Sequence, residues 1–117
     1  MLLLTQTTDS MQINTNTAAA VDVHASWVDT AGATITPGRK NTNIVAAATT
    51  SIVPAPAAST QRNVKTIHVR NKDATLSVAI RMQVVHAAGL VNIVDQTLNP
   101  GEMLEVVDMA GIKVYHV

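Results

Sequence analysis

Asp22 and His24 stand two residues apart in an alternating run, so both project from one face of a strand and could in principle share a metal ion. The simpler reading of the pair is a solvated strand face. His68, His86 and His116 are scattered without ligand spacing. The five glycines are isolated at positions 32, 38, 89, 101 and 111, so no glycine-rich loop can cradle a phosphate. HExxH and GxSxG motifs do not occur, and without cysteine there is neither a disulfide scaffold nor a thiolate metal site. No nucleophile–base constellation is visible. The expectation is a protein that is not an enzyme and uses no cofactor and no metal. Only a site assembled from distant strands stays open.

Arg39-Lys40 make one small basic cluster, and Arg62, Lys65, Arg70 and Lys72 make another. Neither is interleaved with aromatic residues for stacking on bases. Eight Lys and Arg residues balance eight Asp and Glu residues, which removes the usual footprint of direct nucleic-acid binding. Solubilising charge on turns is the expected role, with contact to an acidic protein surface or a nucleic acid as the alternative. Trp27 and Tyr115 are the only aromatics. Trp27 shares an apolar face with Val21, Val23 and Ala25, which favours core packing over a platform for carbohydrate.

The elements that must carry these residues read as strands. The chain has 117 residues, 47% hydrophobic, 2% aromatic and 14% charged, which fits one domain with a core of small aliphatics. Leu76, Val78, Ile80, Met82 and Val84 alternate with Ser77, Ala79, Arg81 and Gln83. Ile67 and Val69 oppose Thr66, His68 and Arg70, and Ile112 to Val117 alternates likewise. Strands are expected over 11–15, 20–28, 33–36, 49–53, 63–70, 75–85, 90–98, 103–107 and 112–117, one or two of them irregular. Asn71-Lys72-Asp73 reads as a hairpin tip and Asn99-Pro100-Gly101-Glu102 as a type II turn. Thr36-Pro37-Gly38-Arg39 and Asp108-Met109-Ala110-Gly111 read as further turns. The fold class predicted is all-β, an antiparallel, jelly-roll-like β-sandwich of about seven to eight strands.

Two stretches depart from this pattern. Ala46 to Thr60 reads as a strand followed by an extended connection through Pro54 and Pro56. Residues 1–19 are polar and lack a clear buried face. The division expected is an extended N-terminal arm, 1–19, before a sandwich domain, 20–117. Leu2, Leu3 and Leu4 are the candidate interface residues, anchors that the arm would bury in a partner's groove. The apolar start is too short and lacks the cationic flank of a signal peptide, and no run suits a membrane helix, so synthesis in a cytoplasm is expected.

Several segments together resemble a group of small proteins encoded among the structural genes of tailed bacteriophages. They are Asp22-Val23-His24-Ala25-Ser26-Trp27-Val28-Asp29, Ile35-Thr36-Pro37-Gly38-Arg39 with Asn41-Thr42, the run from Ala58 to Lys72, and Pro100-Gly101-Glu102-Met103-Leu104-Glu105. The resemblance covers roughly residues 9–110. It implies a virion structural protein, and for a neutral sandwich of this size a capsid decoration (cement) protein. Such a protein sits on the capsid exterior, with the major capsid protein and its own copies, as a homotrimer, for partners. The alternatives are a head–tail adaptor, a tail or fibre component, or a glycan-binding β-sandwich module. The resemblance brings no catalytic residues with it.

Overall fold

A computed structural model describes residues 2–107 and 111–116. Ten strands run in chain order: β1 (Leu2–Leu4), β2 (Ser10–Thr15), β3 (Val21–Ala31), β4 (Thr34–Ile44), β5 (Thr49–Val53), β6 (Gln61–Asn71), β7 (Val78–His86), β8 (Gly89–Leu98), β9 (Met103–Val107) and β10 (Gly111–Tyr115). The larger sheet has the order β10-β9-β6-β3-β4, with β1 also paired to β6. The smaller sheet has the order β5-β2-β7-β8. Every pairing is antiparallel, and the two sheets form a sandwich. There is no α-helix among the described residues.

Alternation decides which face of each strand is buried. Val21, Val23, Ala25 and Trp27 of β3 are buried, as are Ile67 and Val69 of β6 and Val78, Ile80 and Met82 of β7. Between the sheets these side chains form one core with Leu4, Met11, Ile13, Ile52, Leu98 and Leu104. The expected sandwich of small aliphatics is therefore what forms.

The N-terminal segment corrects the sequence reading. Residues 1–19 are not an arm leading into a domain of 20–117. β1 lies on the edge of β6, with Leu2 opposite Val64 and Leu4 opposite Arg62. β2 is an interior strand between β5 and β7, and its Met11 and Ile13 are fully buried. The alternation is present in Met11-Gln12-Ile13-Asn14-Thr15. It is disguised because both outward residues are amides and the inward Thr15 is polar, satisfied by the carbonyl of Ala46 at 2.8 Å. The described residues form ten strands: β2 is the strand expected over 11–15, the other eight expected ranges form as well, and β1 is the one addition.

Three local readings also change. Thr36-Pro37-Gly38-Arg39 is not a turn but the middle of β4, paired through Val28↔Pro37 and Trp27↔Gly38. β4 is an edge strand, where a proline's missing N–H breaks no ladder bond. Asn71-Lys72-Asp73 is not a hairpin tip, because β6 and β7 belong to different sheets. It is a pinned corner instead. The buried Asn71 amide donates to the carbonyls of Leu76 and Leu98 at 2.8 and 3.0 Å, and Asp73 accepts from the backbone N–H groups of Thr75 and Leu76. Those bonds hold Leu76 outside β7, where it is 44% exposed rather than part of the buried alternation. The turn at Asn99–Glu102 forms as expected, with Gly101 at φ 85° and the Glu102 N–H donating to the Asn99 carbonyl at 3.0 Å. Asp108, Met109 and Ala110 of the other expected turn lie outside the described residues.

Candidate functional site

Cross-strand register gathers the outward polar residues into rows. On the outer face of the larger sheet, Asn41, His24, His68 and Glu105 stand opposite one another in turn across β4, β3, β6 and β9. The next row is Asn43, Asp22, Arg70 and Met103. All of these residues except Glu105 line a shallow cavity of about 370 Å³. His24 Nδ1 lies 2.5 Å from Asn41 Oδ1, the two histidine ring centroids are 6.5 Å apart, and His68 Nε2 is 3.6 Å from Glu105 Oε1. Asp22 is engaged by Lys72 Nζ at 3.0 Å and by the Asn43 amide at 2.5 Å. Burial pushes the Asp22 carboxyl up, but the bonds from Lys72 and Asn43 outweigh it and hold the group below the usual aspartate value. Beside this row the Tyr115 hydroxyl donates to Glu105, and the carboxylate pushes the phenol pKa up.

Asp22 and His24 thus share a face as expected, but their partners are a lysine and an amide. Sequence spacing gave no sign that His68 would stand next to His24, because the strands carrying them are far apart in the chain. Among the described residues, no group of three or more His, Cys, Asp or Glu side chains is placed to hold a metal. His86 and His116 lie elsewhere: His86 Nδ1 accepts from the Ala88 N–H, and His116 pairs with Glu102.

The outer face of the smaller sheet carries a ladder of amides. Thr49 Oγ1 donates to Asn14 Oδ1, Asn14 Nδ2 to Gln83 Oε1, and Gln83 Nε2 to Asn92 Oδ1, at 2.5, 3.0 and 2.7 Å. Gln12 adds a further bond to Gln83 at 2.8 Å. Arg81 and Asp95, 2.7 Å apart, line the adjoining groove of about 490 Å³ with Asn14, Asn16 and Gln96. This ladder satisfies the amides across four strands and leaves the face with little net charge.

At the end of the sandwich where β3 turns into β4, the usual distribution of polar and apolar groups is reversed. On the core side of the larger sheet, the Arg62 guanidinium stacks on Trp27 at 4.6 Å from the ring centroid. It binds both carboxylate oxygens of Asp29 at 2.9 and 3.0 Å and donates to the Pro54 carbonyl at 2.6 Å. On the outer side, the register places Leu3, Val28 and Pro37 in one row across β1, β6, β3 and β4, with Asn63 between Leu3 and Val28. Ile35 follows Pro37 on the same face. Leu3 is 50% exposed and Ile35 69%.

The three leucines therefore separate. Leu4 is fully buried in the chain's own core and Leu2 packs against that core, so neither is a free anchor. Leu3 alone faces outward, in a patch with residues from β3 and β4. The basic residues separate too. Arg62 is committed to Asp29, Lys72 to Asp22, and Lys40 reaches the Ser51 carbonyl across the sandwich edge at 3.2 Å.

Comparison of the chain with protein-family models, with curated proteins and with solved structures finds no match.

Proposed function

We propose that this chain is a structural protein of a tailed-bacteriophage virion, acting as a capsid decoration (cement) protein on the outer surface of the major capsid protein shell. The observation that carries the reading is the outward apolar patch of Leu3, Val28, Ile35 and Pro37, set on paired strands at one end of the sandwich. Apolar side chains held on a rigid ribbon offer contact area to another protein, and they form no enclosure for a small substrate. The ribbon's end is open on both faces, since Ala31 through Pro37 are all exposed. Such a contact is modest singly, but a capsid lattice repeats it, and copies that also touch one another gain avidity. The resemblance of the sequence to phage structural proteins supplies the partner.

The test is co-sedimentation with phage heads lacking this protein. Binding of the unmodified chain, with many copies per head, supports a decoration role. A single ring's worth of copies at one vertex supports the head–tail adaptor instead. Ile35→Asp together with Leu3→Asp is expected to weaken binding while the thermal melt stays close to that of the parent. Undiminished binding of that variant moves the contact elsewhere, and failure of the parent to bind any virion component overturns the proposal.

A further inference from the structure

We propose that His24 and His68 form a two-imidazole site for a divalent transition-metal ion of the class imidazole prefers, such as zinc, copper or nickel. The pair is created by the fold. The two residues stand directly opposite on β3 and β6, and such positions put Cβ atoms roughly 4.5–5.5 Å apart. Their ring centroids are 6.5 Å apart, with the planes at 55°. A zinc–nitrogen bond is about 2.0–2.1 Å, so sharing one ion requires the two rings to turn toward each other about their side-chain torsions.

Each ring also has an oxygen near its other nitrogen, hydrogen-bonded on His24 and at 3.6 Å, beyond hydrogen-bond length, on His68. The Asn41 amide oxygen can only accept, so the 2.5 Å contact places the hydrogen on His24 Nδ1 and leaves the Nε2 lone pair available. Glu105 lies 3.6 Å from His68 Nε2, which favours the hydrogen there and leaves Nδ1 as the ligand. Orienting a histidine through a carbonyl or carboxylate on its far nitrogen fixes the tautomer and raises the ligand's basicity. The charges facing the pair are mixed. Asp22 and Lys72 offset each other in an ion pair, Glu105 favours a cation and Arg70 opposes it. The cavity of about 370 Å³ over the pair leaves room for water to complete the coordination shell. An ion bound here ties β3 to β6 near the middle of the larger sheet. The inference does not depend on the virion reading.

The experiment is a Zn²⁺ titration of the full chain, followed by calorimetry and by nitrogen-15 NMR of the histidine rings. One saturable event is expected, with ring signals of His24 and His68 moving together and those of His86 and His116 unmoved. Asn41→Ala is expected to weaken binding about tenfold through loss of ring orientation. His24→Asn and His68→Asn should each weaken it further, whereas His86→Asn leaves it unchanged. Absence of saturable binding, movement centred on His86 or His116, or affinity unchanged by either His24→Asn or His68→Asn overturns the site. Because the ring signals are read on the unmodified chain, a variant that fails to fold does not remove the test.

Discussion

Gly38 faces Trp27 across the β3–β4 ladder, and the indole occupies the space a side chain would need. A Cβ at position 38 would lie 2.4 Å from Trp27 Nε1 and 2.7 Å from Cε2. The ring cannot swing away cheaply, because Arg62 is stacked on it and held in turn by Asp29 and Pro54. Gly38→Ala is therefore expected to destabilise the fold by about 1–3 kcal/mol, the usual cost of overpacking. Urea melts followed by Trp27 fluorescence check this, and an unchanged midpoint would mean the ring relocates freely. Glu102 supplies a second residue-scale prediction. Its carboxylate accepts from the Asn99 N–H at 2.8 Å and from His116, and these bonds hold its pKa below the ordinary glutamate value. A depressed carboxyl pKa stabilises the fold above the ordinary value of about 4.3, and that stabilisation is lost as pH falls through the folded value. Glu102→Gln should flatten the acid limb of stability against pH, read as the urea midpoint between about pH 6 and about pH 2. An acid limb as steep as the parent's would assign it to other carboxylates.

At the scale of elements, β2 decides what the first nineteen residues do. An interior strand supplies hydrogen bonds to two neighbours, and here it also contributes Met11 and Ile13 to the core. A chain starting at Ala20 loses that strand together with β1 and Leu4, leaving β5 cut off from β7. We expect such a chain to show no cooperative thermal unfolding by circular dichroism. A near-normal melt would restore the reading of this segment as an arm. Edge strands show a different logic. β4 is eleven residues long, and Pro37 and the inward Lys40 blunt it against pairing with another sheet. The remaining strands were legible because small apolar side chains alternate with polar ones. The hairpin expected at Asn71-Lys72-Asp73 was not, since residues that turn a hairpin also turn a corner between sheets, and only the long-range bonds of Asn71 distinguish the two.

For the whole molecule, sheet switching dominates. Apart from the β3–β4, β7–β8 and β9–β10 hairpins, each strand pairs with partners distant in the chain. Non-local pairing must close long loops before its contacts form, so folding is expected on the millisecond-to-second scale rather than in microseconds. Stopped-flow refolding followed by Trp27 fluorescence measures it, and a microsecond phase accounting for the full amplitude would contradict the topology. The same topology makes the two outer faces. One is an amide ladder that spends its hydrogen bonds on itself, and the other joins a polar cavity at His24 and His68 to an apolar patch at Leu3 and Ile35.

The class of fold, the buried face of most strands, the burial of Trp27 and the Asn99–Glu102 turn were legible in the residues alone, because period-two alternation and turn chemistry are local properties of the chain. Composition also determined that the core is built of small aliphatics, since one tryptophan and no phenylalanine leave no other choice. Adjacency came only from long-range packing. Leu4 went to the core while Leu3 went to the surface because β1 found the edge of β6, a pairing that no spacing within the first nineteen residues encodes. His68 came to stand beside His24 for the same reason. Register between strands is set by the packing of a whole face, and a slip of β6 by one residue would turn His68 toward the core and away from His24.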